Sequence, residues 1–190
     1  KRENCNAMIL AVTGSAGKTS LKNMLGFLLQ KYNNTYYSPK SFNNHYGVPV
    51  SLSNLNISHK FGVFEVGMSK AGEIHELSKM IKPDLAVITN IGEAHIENFK
   101  NIKGIAQAKS EIIDNIQNKG TVVLNRDDKF FNFLYKKAKL RNIKIITFGK
   151  SIKSDVCLKR LSQQNELQKI YVSVAGIKLK IITKNVNVHN

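Results

Sequence analysis

The chain has 190 residues, 42% of them hydrophobic, a formal net charge of +16 and two cysteines. The length supports one sizeable core, and no apolar run approaches the roughly 18 to 20 residues that cross a bilayer. Cys5 and Cys157 lie far apart with no metal-ligand spacing around either, which argues against a disulfide scaffold or a zinc module. The charge raises nucleic acid as a partner, but the lysines are scattered and no aromatic residues alternate with them as a base-stacking surface would need. The expectation is no nucleic acid and an acidic small-molecule substrate instead. The short N-terminal apolar run is not followed by a small-residue cleavage site, so a cytoplasmic protein without membrane insertion is expected.

Taken in order, the pattern alternates strand and helix. "MILAV" (8–12) reads as a buried strand, and Leu21, Met24, Leu25, Leu28, Leu29 and Tyr32 recur at three and four, which predicts one apolar helical face. "TYYS", "FGVFEV", "DLAVIT", "TVVLN" and "KIITF" read as further strands. "GEIHELSKMI", "IKGIAQAKSEIIDNIQ" and "DKFFNFLYKKAKL" read as helices, with Pro83 and Gly120 as stop signals. "SFNNHYGVP" (41–49) has the composition of a functional loop or an ordinary turn. After Gly149 three strand-like runs follow, the last two joined by "AGIK" as a hairpin turn.

The predicted fold is α/β. A mostly parallel sheet flanked by helices spans 1–149, and a small antiparallel patch spans 150–190. Both ends read as cuts inside a longer protein.

The stretch from Thr13 to Thr19 carries the chemistry. A strand, a Gly-containing loop and a helix beginning at Gly17-Lys18-Thr19 turn backbone N–H groups toward an anion. Lys18 would reach the β- and γ-phosphates and the Thr19 hydroxyl would ligate Mg²⁺. The common phosphate-loop formula fails as written, because Val12 stands where its first glycine belongs. Glu65 ends an apolar strand, where open parallel sheets place ligands, and Asn90 and His95 follow the next one. His95 could ligate a metal through a neutral imidazole. Lys109 shares its spacing with Ile105, Ile112 and Ile116, so it leans toward the buried side and must snorkel, pair or be modified. The pattern alone favours snorkelling. Asn125 and Asp128 lie in "NRDD", at another strand end, where they could also cap the following helix.

Together these segments resemble the central ATP-binding domain of the Mur ligases, which form amide bonds in peptidoglycan precursor synthesis. "TGSAGKTS", "FNNHYGVP", "FEVGMSKAGEI", "PDLAVITNIGEAHIENF", "IAQAKSEI", "LNRDD" and the terminal "HN" keep the family's order across essentially the whole chain. The short glycine loop is the form this family uses. Within the family, the wording around Glu65 and His95 is most similar to the member that adds D-alanyl-D-alanine to UDP-N-acetylmuramoyl-tripeptide.

The resemblance implies ATP and Mg²⁺ as cofactors and those two compounds as substrates of a monomeric enzyme. It implies that Thr13, Gly14, Ser15, Ala16, Gly17, Lys18, Thr19 and Ser20 cradle phosphate, with Asn43 or Asn44 near the γ-phosphate. Thr19, Glu65 and His95 become Mg²⁺ ligands. Lys109 matches a lysine that several members carry as a carbamate, which would make it a metal-facing anion, and Asn125 and Asp128 would sit near adenine and ribose. It further implies a preceding domain for the UDP-sugar and a following domain for the amino substrate. Two positions depart from the family pattern: Asn187 replaces a glycine before "HN", and Arg126 replaces a small residue.

A nucleotide-driven switch and a small-molecule kinase are the rival readings. No Asn-Lys-x-Asp motif is present to support the first, and the second has no need of His95 or Lys109.

Overall fold

The computed structural model describes residues 2, 5–164 and 167–184; the terminal "HN" and Asn187 lie outside them. In chain order the elements are β1 (Met8–Thr13), α1 (Lys18–Gln30), β2 (Thr35–Tyr37), α2 (Gly47–Asn54), β3 (Phe61–Glu65), α3 (Glu73–Ile81) and β4 (Leu85–Ile88). They continue as α4 (Ile102–Ser110), β5 (Thr121–Asn125), α5 (Phe131–Leu140), β6 (Lys144–Gly149), β7 (Val156–Gln164), β8 (Leu167–Val174) and β9 (Ile177–Lys184).

One sheet collects all nine strands in the order β2-β3-β1-β4-β5-β6-β7-β8-β9. From β2 to β7 every pairing is parallel. β1 is central because it is apolar on both faces: Ile9, Leu10, Ala11 and Val12 are all buried. The chain leaves β1 toward β2 and β3 on one side, then crosses to β4 on the other. This reversal makes the carboxyl end of β1 a topological switch point, the place where open α/β sheets bind ligands. The antiparallel part is the predicted one, with β7, β8 and β9 pairing in sequence. Ala175 and Gly176 supply the tight hairpin turn at φ 48° and 87°.

Three local expectations are corrected. The face of α1 that packs inward carries Lys22 and Gly26, while Met24, Phe27, Leu28 and Tyr32 are exposed. Apolar spacing failed here because the helix meets the end of β2 closely. A Cβ on Gly26 would overlap the Tyr37 ring, so a small residue, not a large apolar one, marks the contact. α2 was not expected as a helix: Pro49 suggested a turn, yet it occupies the first helical turn, where its missing N–H costs nothing. The long fourth helix stops at Ser110 and tightens into a 3₁₀ segment at Glu111–Asn115.

Candidate functional site

Four strand ends build the site. Past β1 the chain turns through Gly14 at φ 145° and Gly17 at φ 79°, conformations that favour glycine. At Gly14 the turn runs so close to β4 that a Cβ would collide with the Thr89 side chain. Loop and strand end are laced together. Asn90 accepts from the Ser15 amide at 3.0 Å and, through Oδ1, from the Ala16 amide at 2.9 Å. Thr89 Oγ1 donates to Ala16 O at 2.6 Å, and Ser15 Oγ exchanges bonds with Gly92 at 2.8 and 3.0 Å. α1 then begins with no side-chain cap and no acidic residue in its first turn. Its leading amides lack intrahelical partners, so the helix presents a positive end to the loop. Ser20 is exposed in this first turn, and the buried Thr13 Oγ1 has no hydrogen-bond partner.

Glu65 is 1% exposed and carries the acidic side of the site. Thr19 Oγ1 donates to its Oε2 at 2.7 Å and Asn43 Nδ2 to its Oε1 at 2.7 Å. Ser41 Oγ lies 3.4 Å from Thr19 Oγ1. Asn44 works differently, because its Oδ1 accepts from the Tyr46 and Gly47 amides and so starts α2.

Two lysines, Lys18 and Lys22, neighbour this carboxylate, and a third, Lys109, meets Lys18 at Gly14 O. Lys18 Nζ donates to Gly14 O at 2.9 Å, and Lys109 Nζ donates to the same oxygen at 3.0 Å. Lys22 is wholly buried and donates to Ser38 O at 2.6 Å and Lys40 O at 2.8 Å. Burial lowers the pKa of Lys18 and Lys22, with Glu65 pulling the other way. Lys109 falls to about 7 through burial and then through repulsion by Lys18. At 1% exposure Lys109 does not snorkel as its pattern favoured; it pairs inward with a backbone carbonyl. A polyphosphate would meet an excess of positive charge here.

A cavity of about 270 Å³ joins Lys18, Asn43, Asn44, Glu73, His95 and Lys109. His95 stands at φ 65°, its side chain 47% exposed and its Nδ1 3.8 Å from Glu97. The structure thus brings Lys18, Asn43, His95 and Lys109 around one opening, and Asn43 ties that opening to Glu65 and, through it, to Thr19. A hydroxyl and a carboxylate in contact are the protein donors Mg²⁺ takes when phosphates and water complete its shell, so Thr19 and Glu65 fit that ion. Among the described residues no three His, Cys, Asp or Glu converge as a full metal cage.

The β5 side is built otherwise. Asp128 accepts from the Ile91 amide at 2.7 Å and the Phe130 amide at 2.8 Å, and Asn125 Oδ1 accepts from the Asp127 amide at 3.0 Å. Beside them, Asn125, Phe148, Val156, Leu158 and Val172 line a largely apolar recess.

The Mur ligase middle domain family matches residues 12–190. The chain belongs to this family. Among curated relatives, the UDP-N-acetylmuramoyl-tripeptide--D-alanyl-D-alanine ligase of Buchnera aphidicola subsp. Acyrthosiphon pisum is 36% identical over 212 residues, covering 98% of this chain and 47% of the relative. Among solved structures, MurF from Acinetobacter baumannii superposes with a TM-score of 0.92 at 32% identity, over 99% of this chain and 41% of that one. MurF ligase from Thermotoga maritima in complex with ADP gives 0.89 at 29% identity, over 99% and 44%. This Mur ligase chain therefore spans less than half the length of those relatives.

Sequence reasoning missed Lys22, Ser41 and Thr89. Lys22 had a usable signal: it lies four residues after Lys18 and so on the same stripe of α1. Thr89 and Ser41 had none, because their roles arise from pairings between distant segments.

Proposed function

We propose that this chain is the nucleotide-binding middle of an enzyme that joins D-alanyl-D-alanine to UDP-N-acetylmuramoyl-tripeptide at the expense of ATP. The observation that carries the reading is the uncapped start of α1 after the glycine turn, where Lys18 and Lys109 converge on Gly14 O beside the Thr19–Glu65 pair. The names of the relatives support the substrate pair, and the ADP-bound neighbour supports the nucleotide.

In the proposed reaction an oxygen of the tripeptide's terminal carboxylate bonds to the γ-phosphorus as the bond to the β–γ bridging oxygen breaks and ADP leaves. The amine of D-alanyl-D-alanine then bonds to the acyl carbon, the bond to phosphate breaks, and the amine gives up a proton. The first step brings two anions together. Lys18 turns from Gly14 O toward the β- and γ-phosphates, and the amides of residues 17–20 bind the same charge. Asn43 keeps Glu65 oriented, and the 270 Å³ cavity is where the acceptor carboxylate would enter. Mg²⁺, when bound, neutralises phosphate charge; Thr19 and Glu65 would hold it, joined by His95 and by Lys109 as a carbamate. Asn125 and Asp128 shape the side of the site where adenine and ribose would lie.

Flanking domains for the UDP-sugar and the amino substrate, the division at residue 149, a monomer and a cytoplasmic location belong to the same proposal. No helix among the described residues is long and apolar enough to cross a membrane.

The test is phosphate release by the full-length protein with ATP and Mg²⁺, adding the two substrates singly and together. Release that requires both supports the ligase; release indifferent to them turns the assignment toward a nucleotide switch or a kinase.

A further inference from the structure

The buried lysine that the ligase chemistry does not use is Lys22. A fully buried ammonium is costly unless it is hydrogen-bonded, and this one is held by Ser38 O at 2.6 Å and Lys40 O at 2.8 Å, with the Tyr37 ring 5.9 Å away. Those carbonyls belong to the segment that leaves β2 and leads directly into Ser41 and Asn43. The same segment is tied to β3 from the other side: the Ser38 amide donates to Val63 O at 2.9 Å, and the Glu65 amide donates to Ser38 Oγ at 3.4 Å. The crossing from β2 to α2 is thus clamped between α1 and β3, a few residues before it delivers Ser41 to Thr19 and Asn43 to Glu65.

We infer that Lys22 is a positioning residue for the metal side of the site: by gripping residues 38–40 it sets the height at which Asn43 meets Glu65 and Ser41 meets Thr19. Lys22 itself reaches no phosphate, since it bonds away from the loop, to the carbonyls of Ser38 and Lys40. It lies one helical turn below Lys18 on the same face, so the two lysines divide the work. Lys18 serves the anion, and Lys22 serves the residues that orient the carboxylate. The next residue on that face is Gly26, whose lack of a side chain lets Tyr37 approach. Lys22 and Gly26 together form the surface of α1 on which the β2 end docks.

Loss of Lys22 therefore relaxes the position of Asn43 against Glu65. That change does not touch the backbone amides of residues 14–20, which bind phosphate in the reading above. The expected signature is a defect in Mg²⁺ use with intact metal-free nucleotide binding.

The inference rests on the nucleotide-binding reading above. Its test is equilibrium binding of ATP to the full-length protein over a Mg²⁺ titration, for wild type, Lys22→Met, Lys22→Gln, Asn43→Ala and the double variant. Wild type that fails to bind ATP would overturn the reading itself. With wild type binding, the expected result is a tenfold or larger rise in the Mg²⁺ needed for half-maximal binding in Lys22→Met, and metal-free affinity within about twofold of wild type. The double variant should be no worse than Asn43→Ala, because both changes loosen one linkage. An unchanged Mg²⁺ requirement, an equal loss with and without metal, or additive effects would each overturn the positioning role. If Lys22→Met does not fold, hydrogen exchange of residues 38–44 in Lys22→Gln decides: faster exchange there, with residues 14–20 unchanged, supports the grip, and unchanged exchange at 38–44 refutes it.

Discussion

The two halves of the sheet's carboxyl edge use their polar residues in opposite ways. At the ends of β1 and β3, side chains bond to other side chains or to carbonyls that a ligand can replace: Thr19 and Asn43 to Glu65, Lys18 and Lys109 to Gly14 O. At the end of β5 and beyond β6, carboxylates bond to backbone amides: Asp128 to Ile91 and Phe130, Asp127 to Lys150 and Ser151. Asp155, at the start of β7, accepts from both Thr147 N and Thr147 Oγ1. The first region holds exchangeable contacts and an excess of positive charge. In the second, the carboxylates are tied to the backbone.

The largest effect is expected on the exchangeable side. Lys18→Ala should lower turnover of the full-length protein by roughly 10²- to 10³-fold, on the order of 2.7 to 4 kcal/mol of barrier, the magnitude typical of losing one preorganised donor. Its stability should hardly change, since Lys18 bonds only to loop carbonyls. Near-normal turnover would sink the phosphate role.

Next comes the pH dependence of stability, which separates the two regions into different windows. Lys109 has a folded pKa of about 7, below its ordinary 10.5. Between those values the unfolded chain binds a proton that the folded chain does not, so stability rises with pH across that window. Lys109→Met should reduce that rise by a few kcal/mol at most, leaving the part contributed by Lys18 and Lys22, which are lowered in the same sense. Asp155 is shifted in the other sense, lowered by the Thr147 hydroxyl and amide. Its contribution is present above the ordinary aspartate range and is lost as pH falls through the lower folded value. Urea midpoints from pH 3 to 10 would test both; a wild-type curve flat between pH 7 and 10 would count against the buried, unprotonated Lys109.

Third is a cut in the scaffold. Asp128→Ala strands two amides, at Ile91 and Phe130, and removes the tie between the β4 loop and the start of α5. A loss of about 2 kcal/mol is expected from two unsatisfied donors. Hydrogen exchange should quicken at residues 89–92 and 128–132 while the Mg²⁺ requirement stays put. A shifted Mg²⁺ requirement would mean that the two regions are coupled.

The comparison also shows what could be read from sequence. The strand order of alternation, the glycine loop and the ligand candidates at successive strand ends were legible because each is local: a run of apolar residues, a turn, a polar residue just after it. Glu65 and His95 were named as candidates by that rule, and the structure sets Glu65 at the end of β3 and His95 past β4. Lys109 was located but its state was misjudged, since spacing shows which way a side chain leans and not what waits there. Here a carbonyl 95 positions earlier in the chain receives it. α1 was placed correctly and turned wrongly, because its contact is made by a glycine and a buried lysine. Asn43 and Asn44 looked equivalent in sequence, and only the fold separates a carboxylate partner from a helix starter.

The smallest predicted effect concerns the hinge between loop and helix. Gly17 and Gly14 both adopt positive φ, yet they differ in what surrounds them. A Cβ at Gly14 would meet Thr89, whereas one at Gly17 meets nothing within 4 Å. Gly17→Ala therefore isolates the backbone term, about 1 kcal/mol for placing a side chain in the left-handed region, without a clash. Because Gly17 caps α1 and precedes Lys18, that strain falls on the turn that aims the helix amides at phosphate. A rise in ATP dissociation constant of roughly fivefold, matching ~1 kcal/mol, with metal-free and metal-loaded binding affected alike, is expected. Equal loss with and without Mg²⁺ is the opposite of the pattern expected for Lys22. The pair of titrations thus separates the amide half of the phosphate region from its carboxylate half.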